Sequence, residues 1–311
     1  MPPGIPPGWI GLDGCLQKAV HMVLSMRSAG RKRFWLEFAA VTPLIAVLCL
    51  AAPNCLAATK DTDGVRRQLL EAVNSNLRPA ADKARDKYRH PVQTLMFFGI
   101  KPDMTVVELW PFGGWYTEIL GPFLRDHGRL YEAAMDPDSK NPEDVQLNSE
   151  FHALLAAHPR QLGKVQVTVL APHKMQIAPA GTADMVLTFR NIHNWVWAGM
   201  QKDVFAAAYR ALKPGGILGV VEHRNSDPDF EPKQPGQAYV GEQYAIHLIE
   251  SVGFRLVARS NINRNSKDTK DYPKGVWTLP PNYAEGDKDR AKYAAIGESD
   301  RFTLKFVKPT S

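Results

Sequence analysis

The feature that most constrains this chain is a regular alternation that begins near residue 105. Five short apolar runs, Thr105–Leu109, Arg129–Ala134, Val165–Leu170, Asp184–Phe189 and Ile217–Glu222, each have the length of a strand. Helical stretches separate them, near Tyr116–Leu124, Asp144–Ala157 and Ala198–Leu212. Strands joined through helices cannot pair as hairpins, because the crossover returns the chain to the same end of the sheet. The pattern therefore predicts an α/β fold with a doubly wound, mostly parallel sheet. A further helix over Ala238–Val252 leads to a sixth strand, Phe254–Ala258, and a seventh, Phe302–Val307, ends the chain.

Two segments stand outside this alternation. Upstream, Val65–Asn74, Ala80–Lys87 and Val92–Phe98 read as helices, with Pro79 at a helix start, so 58–104 forms an N-terminal helical prelude to a domain over 105–311. Downstream, roughly 259–300 is rich in Asn, Lys, Asp and Pro. It is too long for an ordinary connection and reads as a disordered excursion or a lid over the open sheet edge.

Residues 1–57 read as a leader. Arg31-Lys32-Arg33 precedes the apolar run Phe38–Ala52, which is short for a bilayer span of roughly 20 residues and has the proportions of a signal-peptide core. Cleavage is expected after Ala57 or Ala58, which sends the protein to an exported, periplasmic destination with no stable membrane span in the mature form. Residues 1–25 fit no part of a signal, so Met26 is the more natural start. All three cysteines, Cys15, Cys49 and Cys55, precede the cleavage region, which excludes structural disulfides and thiol chemistry from the mature chain. Beyond residue 57 the charge is only +3 and no basic stripe appears, which argues against nucleic acid as a partner.

The chemistry concentrates at the ends of the strands. Val106-Val107-Glu108-Leu109-Trp110-Pro111-Phe112-Gly113-Gly114-Trp115-Tyr116 is a strand ending in an acid, a glycine-containing turn and a helix start, an arrangement that brings backbone N–H groups up to a nucleotide-type ligand. Leu212-Lys213-Pro214-Gly215-Gly216 enters the fifth strand, which ends in Val221-Glu222-His223-Arg224. With these two segments the chain, from about residue 91 onward, resembles class I S-adenosylmethionine-dependent methyltransferases. HPVQTLMFFGIKP, LTFRNIHNW and the closing DRFTLKFVKP add a resemblance to a group of exported bacterial predicted methyltransferases.

The resemblance implies a Rossmann-like, seven-stranded sheet whose last strand inserts antiparallel beside the fifth. It implies S-adenosylmethionine as cofactor and a small-molecule or other acceptor. Glu108 would organise the cofactor's amine, Gly113 and Gly114 would allow close backbone approach, and Asp136 (with Glu132 as competitor) would meet the ribose. The G-x-G-x-G positions, however, read Trp110-Pro111-Phe112-Gly113-Gly114, and Phe112 stands where the group usually has Gly. An aromatic there lacks glycine's freedom at positive φ, so a loop that still binds cofactor is expected to follow a different path. The adenine-side acid after the third strand is absent; Leu170-Ala171-Pro172-His173 stands in its place.

After the fourth strand, Arg190-Asn191-Ile192-His193-Asn194-Trp195 crowds polar groups at the edge where doubly wound sheets bind ligands. Arg190 suits an anionic substrate, Asn191 a hydrogen bond to the reacting group and His193 a base; the bland reading is a network that braces the edge. A metal held by His193, Glu222 and His223 has no short-range ligand pair to support it, and none is expected. The alternative to methyl transfer is an exported binding domain that keeps the fold with a degenerate cofactor site.

Overall fold

The computed structural model describes residues 62–310, so the leader, its cleavage region and its cysteines lie outside the described residues. Residues 62–73 are helical (α1), followed by α2 (Ala80–Lys83), α3 (Asp86–Arg89) and α4 (Pro91–Phe98). The one helix expected over Ala80–Lys87 is two short ones, separated at Ala84-Arg85. Pro91 opens α4 at the position where its missing N–H costs nothing, and Gly99 closes it at φ 83°, donating to the carbonyls of Leu95 and Met96.

The alternating region then runs β1 (Thr105–Leu109), α5 (Thr117–Leu124), β2 (Arg129–Ala134), α6 (Pro142–Ala157), α7 (Pro159–Leu162), β3 (Gln166–Val169), β4 (Ala183–Phe189), α8 (Ile192–Trp197), α9 (Gln201–Ala211), β5 (Leu212–His223), α10 (Glu242–Glu250) and β6 (Arg255–Ser260). A short 3-10 turn, Gly275–Thr278, and α11 (Arg290–Ile296) precede β7 (Arg301–Val307). The Leu212–Gly216 segment, read as a turn, is part of β5: a register shift against β4 absorbs it, with Gly215 at φ 79°.

The seven strands form one sheet in the order β3-β2-β1-β4-β5-β7-β6. β1, β2, β3, β4 and β5 are mutually parallel where they pair, and β7 runs antiparallel between β5 and β6. This is the arrangement that the resemblance implies. The strands alternate their side chains between two cores. Val106, Met185 and Leu187 face one built with Leu95, Phe98, Ile119 and Leu120; Val107, Leu109 and Val186 face the other, with Trp195, Val204, Phe205 and Ile249. Two apolar layers on one sheet are what doubly wound connections require.

The polar stretch after β6 is ordered. Asp268 accepts from the Tyr239 hydroxyl at 2.9 Å and from the Asp300 amide at 2.7 Å, and Tyr272, Leu279 and Tyr293 make a small core of their own. It lies over the carboxyl end of β5, where Ser299 meets His223, and beside α8, where Trp277 meets His193. Among the described residues, no helix is long and apolar enough to cross a membrane.

Candidate active site

The strand order reverses between β1 and β4, and the chains leaving their carboxyl ends diverge to opposite faces of the sheet, opening a crevice. After β1 the backbone is left-handed at Trp110 (φ 48°), Phe112 (φ 49°) and Gly114 (φ 79°). These are the three positions of the glycine pattern, so the loop keeps a glycine-type backbone although two of the glycines are replaced by aromatics. Phe112 thus adopts the positive φ for which an aromatic lacks glycine's freedom. Each such conformation costs a bulky residue about 1–3 kcal/mol and persists only where the surroundings fix it.

The fixing contacts are visible. The Trp110 amide donates to Ala133 O of β2 at 2.9 Å, and its indole N–H donates to Leu170 O just beyond β3 at 2.8 Å. The indole thus spans from β1 across β2, edge-on to Trp195 at 5.8 Å and with the Phe112 ring 6.1 Å away.

The two remaining glycines do different work. A Cβ on Gly114 would lie 2.3 Å from Leu154 Cδ2 and near Phe151, so this glycine lets α6 pack against the loop. Gly113 has open space in front of it and lines a cleft of about 190 Å³. Arg85, Arg89, Glu108, Tyr116 and Arg190 also line that cleft. Larger surface hollows of about 640 and 510 Å³ lie around Met175–Ala211 and Gly121–Gln166, away from the switch point; the second is lined by Arg125, Asp126, Arg129 and Lys164 but sits at the amino ends of β2 and β3, opposite the ligand edge. The smaller cleft is therefore the candidate site.

Its electrostatics follow from burial. Glu108 is 3% exposed and accepts from the Thr117 hydroxyl at 3.3 Å; burial pushes its carboxyl up to about 7. Glu132 faces it in register on β2, fully buried, with neither oxygen partnered among the described residues, and burial followed by the Glu108 charge pushes it well above the usual carboxylate range. Arg190 sits at φ 65°, its amide bonded to Val221 O at 2.7 Å. Burial and then the Arg301 charge bring its guanidinium down to about 10, and it has no side-chain partner among the described residues.

Beyond Arg190, the start of α8 and the end of β5 bring His193, Glu222 and His223 together. Glu222 is fully buried and accepts from the Ile192 amide at 2.6 Å, the His223 amide at 2.7 Å and His193 Nδ1 at 3.3 Å. With Nδ1–H donated to that carboxylate, His193 keeps Nε2 as an acceptor, the tautomer being assigned by this bond. Trp197 and Trp277 wall the imidazole at 5.0 and 6.3 Å between ring centres. His223 Nδ1 meets Ser299 Oγ at 2.6 Å; burial and then His193 hold this imidazole well below its usual range, hence neutral.

These three residues are the one grouping among the described residues whose ligand atoms, within 4.8 Å of one another, suit a metal ion. Two features favour a proton site instead. The Glu222 oxygens already take three donors, and Arg190, Arg301 and Arg89 all act on His223 as positive neighbours.

Other residues singled out from the sequence are placed differently. Asn191 is 1% exposed and donates to Leu109 O at 2.8 Å and Thr188 Oγ1 at 3.2 Å, which ties β4 to β1; its Oδ1 has no partner among the described residues. Asp136 is paired with Lys174 at 2.8 Å and accepts from the Asp138 amide, outside the cleft. Arg85, Arg89, Glu298, Ser299 and Trp277 were not legible as site residues: they arrive from the prelude and from the polar stretch, and no spacing in the sequence links them.

No family model matches the chain, and no curated protein matches it by sequence. Among solved structures, a SAM-dependent methyltransferase from Aquifex aeolicus is 16% identical, with a TM-score of 0.49 over 73% of this chain and 94% of that one. The cyclase SpnF is 14% identical, at 0.48 over 79% and 93%. A fibrillarin pre-rRNA processing protein from Methanococcus jannaschii is 14% identical, at 0.42 over 73% and 77%. At such overlaps it is the strand order, with its antiparallel β7, that identifies the class I methyltransferase fold.

Proposed function

We propose that this protein is an S-adenosylmethionine-dependent methyltransferase with a small-molecule acceptor. The observation that carries the reading is the meeting at the switch point of a left-handed loop and a buried carboxyl (Glu108), with a histidine held by a buried carboxylate just beyond Arg190.

The residues present fit the charged end of the cofactor. Glu108 offers a carboxyl to an ammonium, and Gly113 leaves room for close approach. The Trp110 indole covers the end of β2, the side that would receive the nucleotide arm, so that ring would have to turn aside for adenosine to enter. Trp110 is also the observation that favours the second reading, a binding domain in which this arm stays shut.

When bound, the cofactor supplies a methyl group made electrophilic by a sulfonium. The protein's part is to hold the acceptor in line and to take its proton. In this reading His193 Nε2 takes the proton, Glu222 fixes the ring and stabilises the imidazolium that forms, and the tryptophan walls exclude water. Export belongs to the same proposal, and it makes periplasmic supply of the cofactor a requirement of the reading.

Calorimetric titration with S-adenosylmethionine and S-adenosylhomocysteine tests it. Sub-millimolar binding is expected, and Trp110→Ala should tighten it. No binding by either form at millimolar cofactor would return the non-enzymatic reading. His193→Gln should abolish transfer with S-adenosylhomocysteine affinity unchanged.

A further inference from the structure

The cleft carries more positive charge than the fold needs. Glu298, 4% exposed, accepts from Arg85 Nε at 2.6 Å, Arg89 Nε at 3.0 Å and Arg301 at 3.0 Å. Arg301 is used up inside the structure, since it also donates to Ser299 O and Tyr88 O. Arg85 and Arg89 are bound to Glu298 through Nε and line the cleft, and the Arg190 guanidinium faces it with no hydrogen bond or ion pair among the described residues. Against these four guanidinium groups stand Glu298 and Asp82, the latter 3.9 Å from Arg85. Glu108, the remaining acid of the cleft wall, is held half protonated near neutral pH by its burial. The arginines act on one another strongly enough to lower Arg89 and Arg190, with burial the leading cause in both.

An excess of one sign that is partly withdrawn from water, with Arg89 buried and Arg85 and Arg190 half-buried, is costly unless a ligand balances it. The cofactor of the proposed reaction cannot do so, because its sulfonium and ammonium outweigh its single carboxylate and it enters as a net cation. The second ligand has to bring the negative charge. Resting on the methyltransferase reading, we propose that the methyl acceptor is an anion, a small molecule bearing a carboxylate or phosphate group that Arg190 and the free edges of Arg85 and Arg89 bind. Its nucleophilic atom then lies toward His193, which follows Arg190 by three residues around the end of β4. Guanidinium groups bind such oxyanions through paired N–H donors, so a neutral isostere of the same shape is rejected.

The test uses malonate and inorganic phosphate as probes, with malonamide as neutral control, titrated into the full chain at fixed ionic strength with and without S-adenosylhomocysteine. Saturable binding of at least one anion is expected, with malonamide silent. Arg190→Gln should weaken it at least tenfold, and Arg85→Gln should also weaken it, with circular dichroism unchanged in each. The anion and S-adenosylhomocysteine should bind together. Competition between them would assign the arginines to the cofactor's carboxylate and overturn the proposal. S-adenosylhomocysteine binding with no anion binding, or with affinity unchanged in both variants, would also overturn it while leaving the methyltransferase reading standing. Anion binding without any S-adenosylhomocysteine binding would remove that reading, and the acceptor assignment with it.

Discussion

Trp110 and Phe112 are the residues at which this chain departs most from its resemblance, and they keep the backbone that glycine would have given. Two opposed terms meet at Phe112. Glycine would relieve the left-handed strain, worth about 1–3 kcal/mol, and would lose the ring's contact with Trp110, worth about 0.5–1.5 kcal/mol. Phe112→Gly should therefore leave the denaturation midpoint almost unmoved, or raise it, while freeing the indole and tightening S-adenosylhomocysteine binding. A fall of more than about 2 kcal/mol in stability would show that the strain term is small here and that the ring is chiefly a packing element. Gly114→Val, by contrast, would test folding, because its side chain would enter α6 at Leu154. At this scale the sequence pointed to Glu108, Arg190 and His193 because each lies at or just after the end of a strand at the ligand edge. It misjudged the loop, because φ at an aromatic depends on what its ring can reach, and the reach to Leu170 O is a tertiary fact.

Among the elements, the least legible join is the one between the prelude and the last strand. β1, β2 and β4 were readable almost to the residue, since buried parallel strands are continuous apolar runs. Nothing in the sequence linked α3, which carries Arg89, to Glu298 more than two hundred residues later, yet this carboxylate binds α3 to the start of β7. Burial alone would raise the Glu298 carboxyl, but Arg89, Arg301 and Arg85 together hold it far below the usual range. A carboxyl depressed in the folded state gives stability that is full above its unfolded value of about 4.3 and is lost as pH falls toward the folded value. Glu298→Gln should lower stability at pH 7 by about 3–5 kcal/mol, since it leaves two buried cations, Arg89 and Arg301, and the half-buried Arg85 facing a neutral amide. The loss should shrink as both proteins are taken below about pH 4. Urea midpoints at pH 7 and pH 3.5 measure this, and a difference below about 1 kcal/mol at pH 7 would mean that the arginines find other partners.

At the scale of the whole molecule, the leader reading makes a claim that chemistry can check directly. Every cysteine of the chain, Cys15, Cys49 and Cys55, lies before the expected cleavage after Ala57 or Ala58. The sheet, both cores and the arginine-lined cleft are built from residues between 62 and 310. A chain beginning at Ala58 or Thr59 thus retains every group on which the proposed chemistry depends, and it has no thiol. Protein purified from its native host should give an N-terminal sequence starting at one of those residues and no reaction with a thiol reagent after full denaturation. Its thermal midpoint should also be indifferent to reductant, as expected of a domain whose stability comes from packing and buried ion pairs rather than cross-links. Titration of even one thiol per chain would place the true start upstream of Cys55. Export would then lose its support, and the cofactor would be available where cells make it.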